Sequence, residues 1–268
     1  MSRSSPSAAA DPDQGPPSYW VASKQPLPIL WFLLPLIVAY EAGLALLLRS
    51  SEGVLTNKAH ETLLRFFDAF GLGASGGLFL GGAAIVVVLL VWHLLTREPW
   101  RFDLATPGMM AVESVALAIP LIVMGVVIGS SSVAAAPGGG PGPTDLTAMS
   151  VWERVAISVG AGLYEELLFR MLLIAILHTL LVDVGKLRSA TGAGIAIVVS
   201  AVAFTVYHPL ADPNAADAGV SIQRVAFYLL AGLYFGAVYV LRGFGIVVGA
   251  HAVYDILVVT MLSGTGDG

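Results

Sequence analysis

The stretch VAISVGAGLYEELLFRMLLIAILHTLLV, residues 155–182, is apolar along most of its length and carries Glu165, Glu166 and Arg170 near its middle. A bilayer core takes about 20 helical residues to cross, so a run of this length reads as a spanning helix. Ionised side chains inside such a span cost about 2.5–3.5 kcal/mol each on insertion scales, which makes them functional candidates before anything else. Two further apolar segments carry histidines of the same kind, His208 in FTVYH (204–208) and His251 in HAVYD (251–255).

Composition agrees with a membrane chain. Of 268 residues, 57% are hydrophobic and only 12% charged, with a mean hydropathy of +0.84. That charged share is about half the globular norm of roughly 25%. The fold class expected is all-α, a polytopic transmembrane helical bundle of about seven spans, with an intramembrane cavity. A net charge of -5 and a pI near 5.4 argue against nucleic acid as a partner. The absence of cysteine excludes disulfides, thiolate metal sites and a cysteine nucleophile.

The spans expected are 29–48, 76–95, 109–129, 151–182, 190–208, 221–241 and 245–262. Residues 1–28, rich in Pro, Ser, Ala and Asp, read as a disordered tail. The run Ile29 to Leu48 is too long for a signal-peptide core and is expected to stay as an anchor. Between the first two spans, ETLLRFFDAF (61–70) has helical apolar spacing and suits a helix lying along the interface. Residues 130–148 (SSSVAAAPGGGPGPTDLTA) form a Gly/Pro linker. It separates supporting helices, 29–129, from a functional half, 149–262. The Gly-rich segments Gly71–Gly82 and Gly232–Gly249 read as close helix packing rather than phosphate binding. Seven spans put Arg3, Lys24, Arg97, Arg101, Lys186, Arg188 and Arg242 on one side. Arg49, Lys58, Arg65, Arg154 and Arg224 fall on the other, a small excess that inclines the N-terminus inward.

Glu166 and Arg170 are four residues apart, share a helix face and can pair, while Glu165 is rotated by about 100° and points elsewhere. One carboxylate is then held by the guanidinium while its neighbour faces a cavity, a setting that suits general-base work. A pair serving only to staple helices would leave the second glutamate without a role. His208 precedes Pro209, and a residue before proline is pushed out of the α region, so the helix should end there and leave the imidazole where water reaches it. His251 and Asp255 share a face of the last span, with the carboxylate placed to orient the ring. Glu41, deep in the first span, either lines the same cavity or pairs with a neighbouring helix. His93 and His178 stand near span ends, where snorkelling needs no function.

Together EELLFR, FTVYH and HAVYD resemble the signature of the CPBP family of intramembrane glutamic endopeptidases. This family includes the CAAX prenyl proteases and bacteriocin-processing or immunity (Abi) proteins, and its pattern is EExxxR, then FxxxH, then HxxxN or HxxxD. The match falls on Glu165, Glu166 and Arg170, on Phe204 and His208, and on His251 and Asp255, within 149–262. The resemblance implies an all-helical membrane fold and a metal-independent, cofactor-free hydrolase of the cell (inner) membrane. Its partners would be membrane lipid and a membrane-associated protein or peptide substrate. Glu165 with His208 would activate the water, His251 with residue 255 would stabilise the oxyanion, and Arg170 would hold Glu166. Asp255 departs from members with asparagine: an ionised aspartate donates nothing, so it would orient His251 and leave the donating to the ring.

Three other readings compete. A zinc-dependent membrane protease could use two Glu and two His, although HExxH is absent. An aspartyl protease of YD/GxGD type would need Asp255 and Asp267, which lie only twelve positions apart in the sequence. A membrane scaffold or proton-coupled carrier would use the same buried carboxylates as a relay. One geometric tension stands out. Ideal spans put Glu165 mid-membrane, His208 at one helix end and His251 nearer the opposite face, so tilt or an early break at Pro209 must bring them to one depth.

Overall fold

The structure is a computed structural model that describes residues 17–50, 53–72, 77–101, 103–128, 149–211 and 219–263. The expected linker 130–148 lies outside the described residues, as do 1–16 of the expected tail. A single helical turn, α1 (Tyr19–Ala22), is followed by α2 (Pro26–Leu46). Regular structure therefore begins inside the segment read as a disordered tail. Pro26 sits at the first helical position, where its missing N–H costs nothing and its fixed φ favours helix entry.

Two-residue strands β1 (Arg49–Ser50) and β2 (Gly53–Val54) pair antiparallel and lead into α3 (Lys58–Ala69). Then come α4 (Leu80–Thr96), α5 (Ala105–Val127), α6 (Val151–Glu166), α7 (Ala175–His178), α8 (Ser189–Tyr207), α9 (Ile222–Arg242) and α10 (Phe244–Ser263). Leu167–Ile174 and Thr179–Val184 are π-helical, so α6, α7 and these turns make one continuous helix, Val151–Val184, of 34 residues. Among the described residues six helices are long and apolar enough to cross a membrane, and the apolar stretch of a further one, Phe244–Thr260, is shorter. Apart from the two-residue pairing of β1 with β2, the regular structure of the described residues is helical, and the chain is a multi-pass integral membrane protein.

A capping box orders the first turn of α6. The Ser150 hydroxyl accepts from the Glu153 N–H at 3.3 Å, and the Glu153 carboxylate accepts from the Ser150 N–H at 2.6 Å. Packed along both α6 and α5 is α10, while α8 lies along α9 and α2 lies against α4 and α6. Close approach depends on missing side chains. A Cβ on Gly162 would stand 2.9 Å from the Ala252 Cβ and from the Val248 carbonyl, and one on Gly232 would stand 2.8 Å from the Ala201 Cα. The Gly232 contact fits the packing role expected of the second Gly-rich segment.

The helix expected from ETLLRFFDAF is α3. Asn57 caps it by accepting from the His60 N–H at 2.8 Å. Its inner face buries Ala59 and His60, and its outer face exposes Phe66. Burial pushes the His60 imidazole down to about 4, so a neutral ring stacks on Tyr164, with centroids 4.5 Å apart. The Tyr40 hydroxyl meets His60 Nδ1 at 2.8 Å. At the far end of α9, Arg242 meets the Glu113 carboxylate of α5 (Nη2 to Oε2 2.7 Å) and lies 3.9 Å over the Trp20 ring. That clamp ties α1 to α5 and α9.

Candidate active site

Glu165 and His208 are brought together because the Val151–Val184 helix runs on well past Glu165. It ends at Val184, and α8 turns back beside it at Ser189. Nineteen residues of α8 at about 1.5 Å each retrace the long helix to the level of Glu165, where α8 stops. The stop is set by Pro209: His208 has ψ 158, extended as the proline requires. So the C-terminus of α8 lies beside the carboxylates.

With the helix ended, the Phe204 carbonyl is free to accept the Nδ1–H of His208 at 2.7 Å. That bond assigns the proton to Nδ1 and leaves Nε2 facing the Glu165 carboxylate, 3.4 Å from Oε2. Both oxygens of Glu165 are buried without a hydrogen-bond partner among the described residues. The expectation that water reaches His208 directly needs correction, because the ring is only 6% exposed. It is stacked on Tyr228 with centroids 4.2 Å apart and lies under Phe204 at 4.3 Å. Side chains of neighbouring helices cover the end that Pro209 opens.

Glu166 points the other way. Its Oε1 is 3.1 Å from Arg170 Nη1 and 2.7 Å from His251 Nδ1. Arg170 is fully buried and lies 4.3 Å over the Phe204 ring, with Nη2 3.4 Å from the Gly232 carbonyl. The guanidinium is thus fixed from three sides. Here the structure differs from the expectation for Asp255. The Nδ1–H of His251 is held by Glu166 across the helix interface, not by Asp255 along α10. Asp255 faces the opposite nitrogen, Nε2, at 3.5 Å, as does Glu165 Oε2 at 4.0 Å. The reason is positional: Arg170 pins Glu166 where the Gly162 contact brings α10 close. The ring of His251 is stacked on Phe235 at 4.6 Å, which fixes its plane.

Glu165, Glu166, Arg170, Phe204, His208, His251 and Asp255, contributed by three stretches of helix, therefore meet in one buried cluster. Glu41 is not part of it. It lies against Gly82 of α4, the helix-pairing alternative. His93 packs edge-on against Trp100 at 4.4 Å, and His178 lies 3.5 Å from the Ser189 hydroxyl. Among the described residues no three His, Asp or Glu side chains are grouped to hold a metal ion. Tyr228, overlooked in the sequence, is part of the cluster wall. Its only sequence signal is an aromatic residue on the helix face of α9 that also carries Phe235.

Because Gly162 sets the separation of α6 and α10, Gly162→Leu should displace α10 and open the Glu166–His251 contact. We expect at least a tenfold loss of activity together with a lower thermal transition, since overpacking a tight site costs about 1–3 kcal/mol. Wild-type activity and stability in that variant would show that the contact does not position His251.

The acids and imidazoles form one buried set within a helical membrane bundle, and the comparison with known proteins gives that arrangement a family context. Residues 147–257 match the family described as Rce1-like, type II CAAX prenyl endopeptidase. The CPBP-type resemblance carried by the three motifs is thus borne out over that region, and the family implies a protease. No curated protein and no solved structure matches the chain.

Proposed function

We propose that this chain is a glutamic-type intramembrane endopeptidase of the cell (inner) membrane, cleaving a peptide bond in a membrane-associated protein or peptide without a metal. The observation that carries the reading is the opposition of Glu165 Oε2 and His208 Nε2 at 3.4 Å, each presenting an acceptor to the same space. A water placed there gives one hydrogen bond to each. As its oxygen attacks the carbonyl carbon, one proton passes to the Glu165–His208 pair and the carbonyl π electrons move onto oxygen. The tetrahedral centre then collapses, the C–N bond breaks, and the held proton passes to the departing amine. Glu166 and Arg170 position the site: Arg170 pairs with Glu166, and Glu166 in turn holds His251 at Nδ1. The resemblance to the Rce1-like family over residues 147–257 supports a protein substrate presented at the membrane.

The test is substrate capture. Purified Glu165→Gln protein, retrieved from its own membranes, should co-purify with a defined polypeptide that the wild-type protein cleaves at one bond in the presence of excess EDTA and phenanthroline. Cleavage that disappears on chelation and returns with zinc would replace this reading with the metal-dependent one. A captured polypeptide left intact by wild type would favour the scaffold.

A further inference from the structure

The cluster contains acceptors in excess of donors. Glu165 and Asp255 supply only oxygens when ionised, and the Nδ1–H groups of His208 and His251 are committed to the Phe204 carbonyl and to Glu166. Arg170 is paired with Glu166, donates to the Gly232 carbonyl and is roofed by Phe204, although its Nε–H has no partner among the described residues. Hydrolysis nevertheless needs a donor where charge develops on the carbonyl oxygen. Tyr228 supplies an uncommitted one. It is 4% exposed, and its hydroxyl is buried without a hydrogen-bond partner among the described residues. A buried phenol O–H left without a partner is unfavourable and calls for an explanation. The ring stacks on His208 at 4.2 Å and an interplanar angle of 26°, within electrostatic reach of both Glu165 and Asp255. Tyr207, the other phenol within such reach of Glu165, also has a buried hydroxyl without a partner among the described residues. It meets His208 edge-on at 5.7 Å rather than stacked, however, and lies beneath the Lys58 ammonium, 4.0 Å from its ring.

We propose that Tyr228 is a further catalytic residue, its phenolic O–H donating to the substrate carbonyl oxygen as it becomes an oxyanion. This rests on the proposed hydrolysis at Glu165 and His208. The proton stays on tyrosine throughout: the hydrogen bond strengthens as the water oxygen–carbon bond forms and the carbonyl electrons shift to oxygen, then relaxes when the C–N bond breaks. The stack on His208 sets the phenol beside the proton-accepting pair, on the face that Asp255, lacking an amide N–H, cannot serve as a donor.

The decisive variant is Tyr228→Phe, which keeps the ring and its stack and removes one oxygen. A reporter peptide built on the segment captured by Glu165→Gln, carried in phosphatidylcholine–phosphatidylglycerol vesicles, would give kcat and KM separately. The expected result is a kcat lower by about 100-fold, in the range found for removing one oxyanion donor, with KM and the thermal transition unchanged. Wild-type kcat in Tyr228→Phe beside an inactive Glu165→Gln would overturn the assignment and leave the hydrolytic reading intact. Turnover by both variants would overturn both. A loss confined to Tyr228→Leu, or one accompanied by a lower thermal transition in Tyr228→Phe, would mark the residue as packing and overturn it equally.

Discussion

Glu165→Gln should reduce turnover by at least about 10³-fold, the scale of a lost general base, while expression and thermal stability stay near wild type. The stability half of this expectation follows from the site itself. Neither Glu165 oxygen has a hydrogen-bond partner among the described residues, so the amide forfeits no intramolecular bond. The substitution also removes one negative charge from a pocket shared with Glu166 and Asp255, which offsets the loss of attraction to the imidazoles. A staple would behave in the opposite way, with stability falling and turnover surviving. Thermal scans of the detergent-purified variant beside a cleavage assay separate the two outcomes.

The second large effect falls on Arg170. It is fully buried and 3.1 Å from Glu166, which in turn holds His251. Removing one partner of a buried ion pair leaves an uncompensated charge, typically at a cost of about 3–5 kcal/mol. Arg170→Met should therefore lower the thermal transition by about 10 °C, on the usual conversion for a chain of this size. Activity should fall as well, because Glu166 is released to rotate and His251 loses the bond at Nδ1. Adding Glu166→Gln should recover most of the stability and little of the activity. Stability and activity recovering together would show that Arg170 serves only to neutralise its neighbour. Unchanged stability in Arg170→Met would contradict the buried-pair geometry outright.

How far the sequence could be read depended on whether the relevant contact was local. Most helix positions were legible because long apolar runs mark them, and the break at His208 follows from the proline after it, but the start of α2 at Pro26 was read as tail. The Glu166–Arg170 pair was legible because four residues is one helical turn. Contacts between helices were not. Which nitrogen of His251 meets Glu166, and which faces Asp255, depends on the rotation of α10 against α6, and local spacing along α10 favoured Asp255. The clamp between Glu113 and Arg242 joins residues 129 positions apart, with no sequence pattern to announce it. Tyr228 was passed over because an aromatic residue in an apolar helix is ordinary. Its face-on stack on His208, combined with an unpartnered hydroxyl, distinguishes it. The depth mismatch among the three motifs came from placing the helix ends at the membrane surfaces, whereas α8 ends beside Glu165.

The central claim is that Glu165 and His208 act on one water as a unit. Single-turnover cleavage of the captured substrate by Glu165→Gln, His208→Asn and the double variant tests it most directly. Groups that share one task lose it once, so the double variant should be no slower than the slower single variant. Losses that multiply would mean that the two side chains contribute independently, and the shared-water mechanism would be wrong.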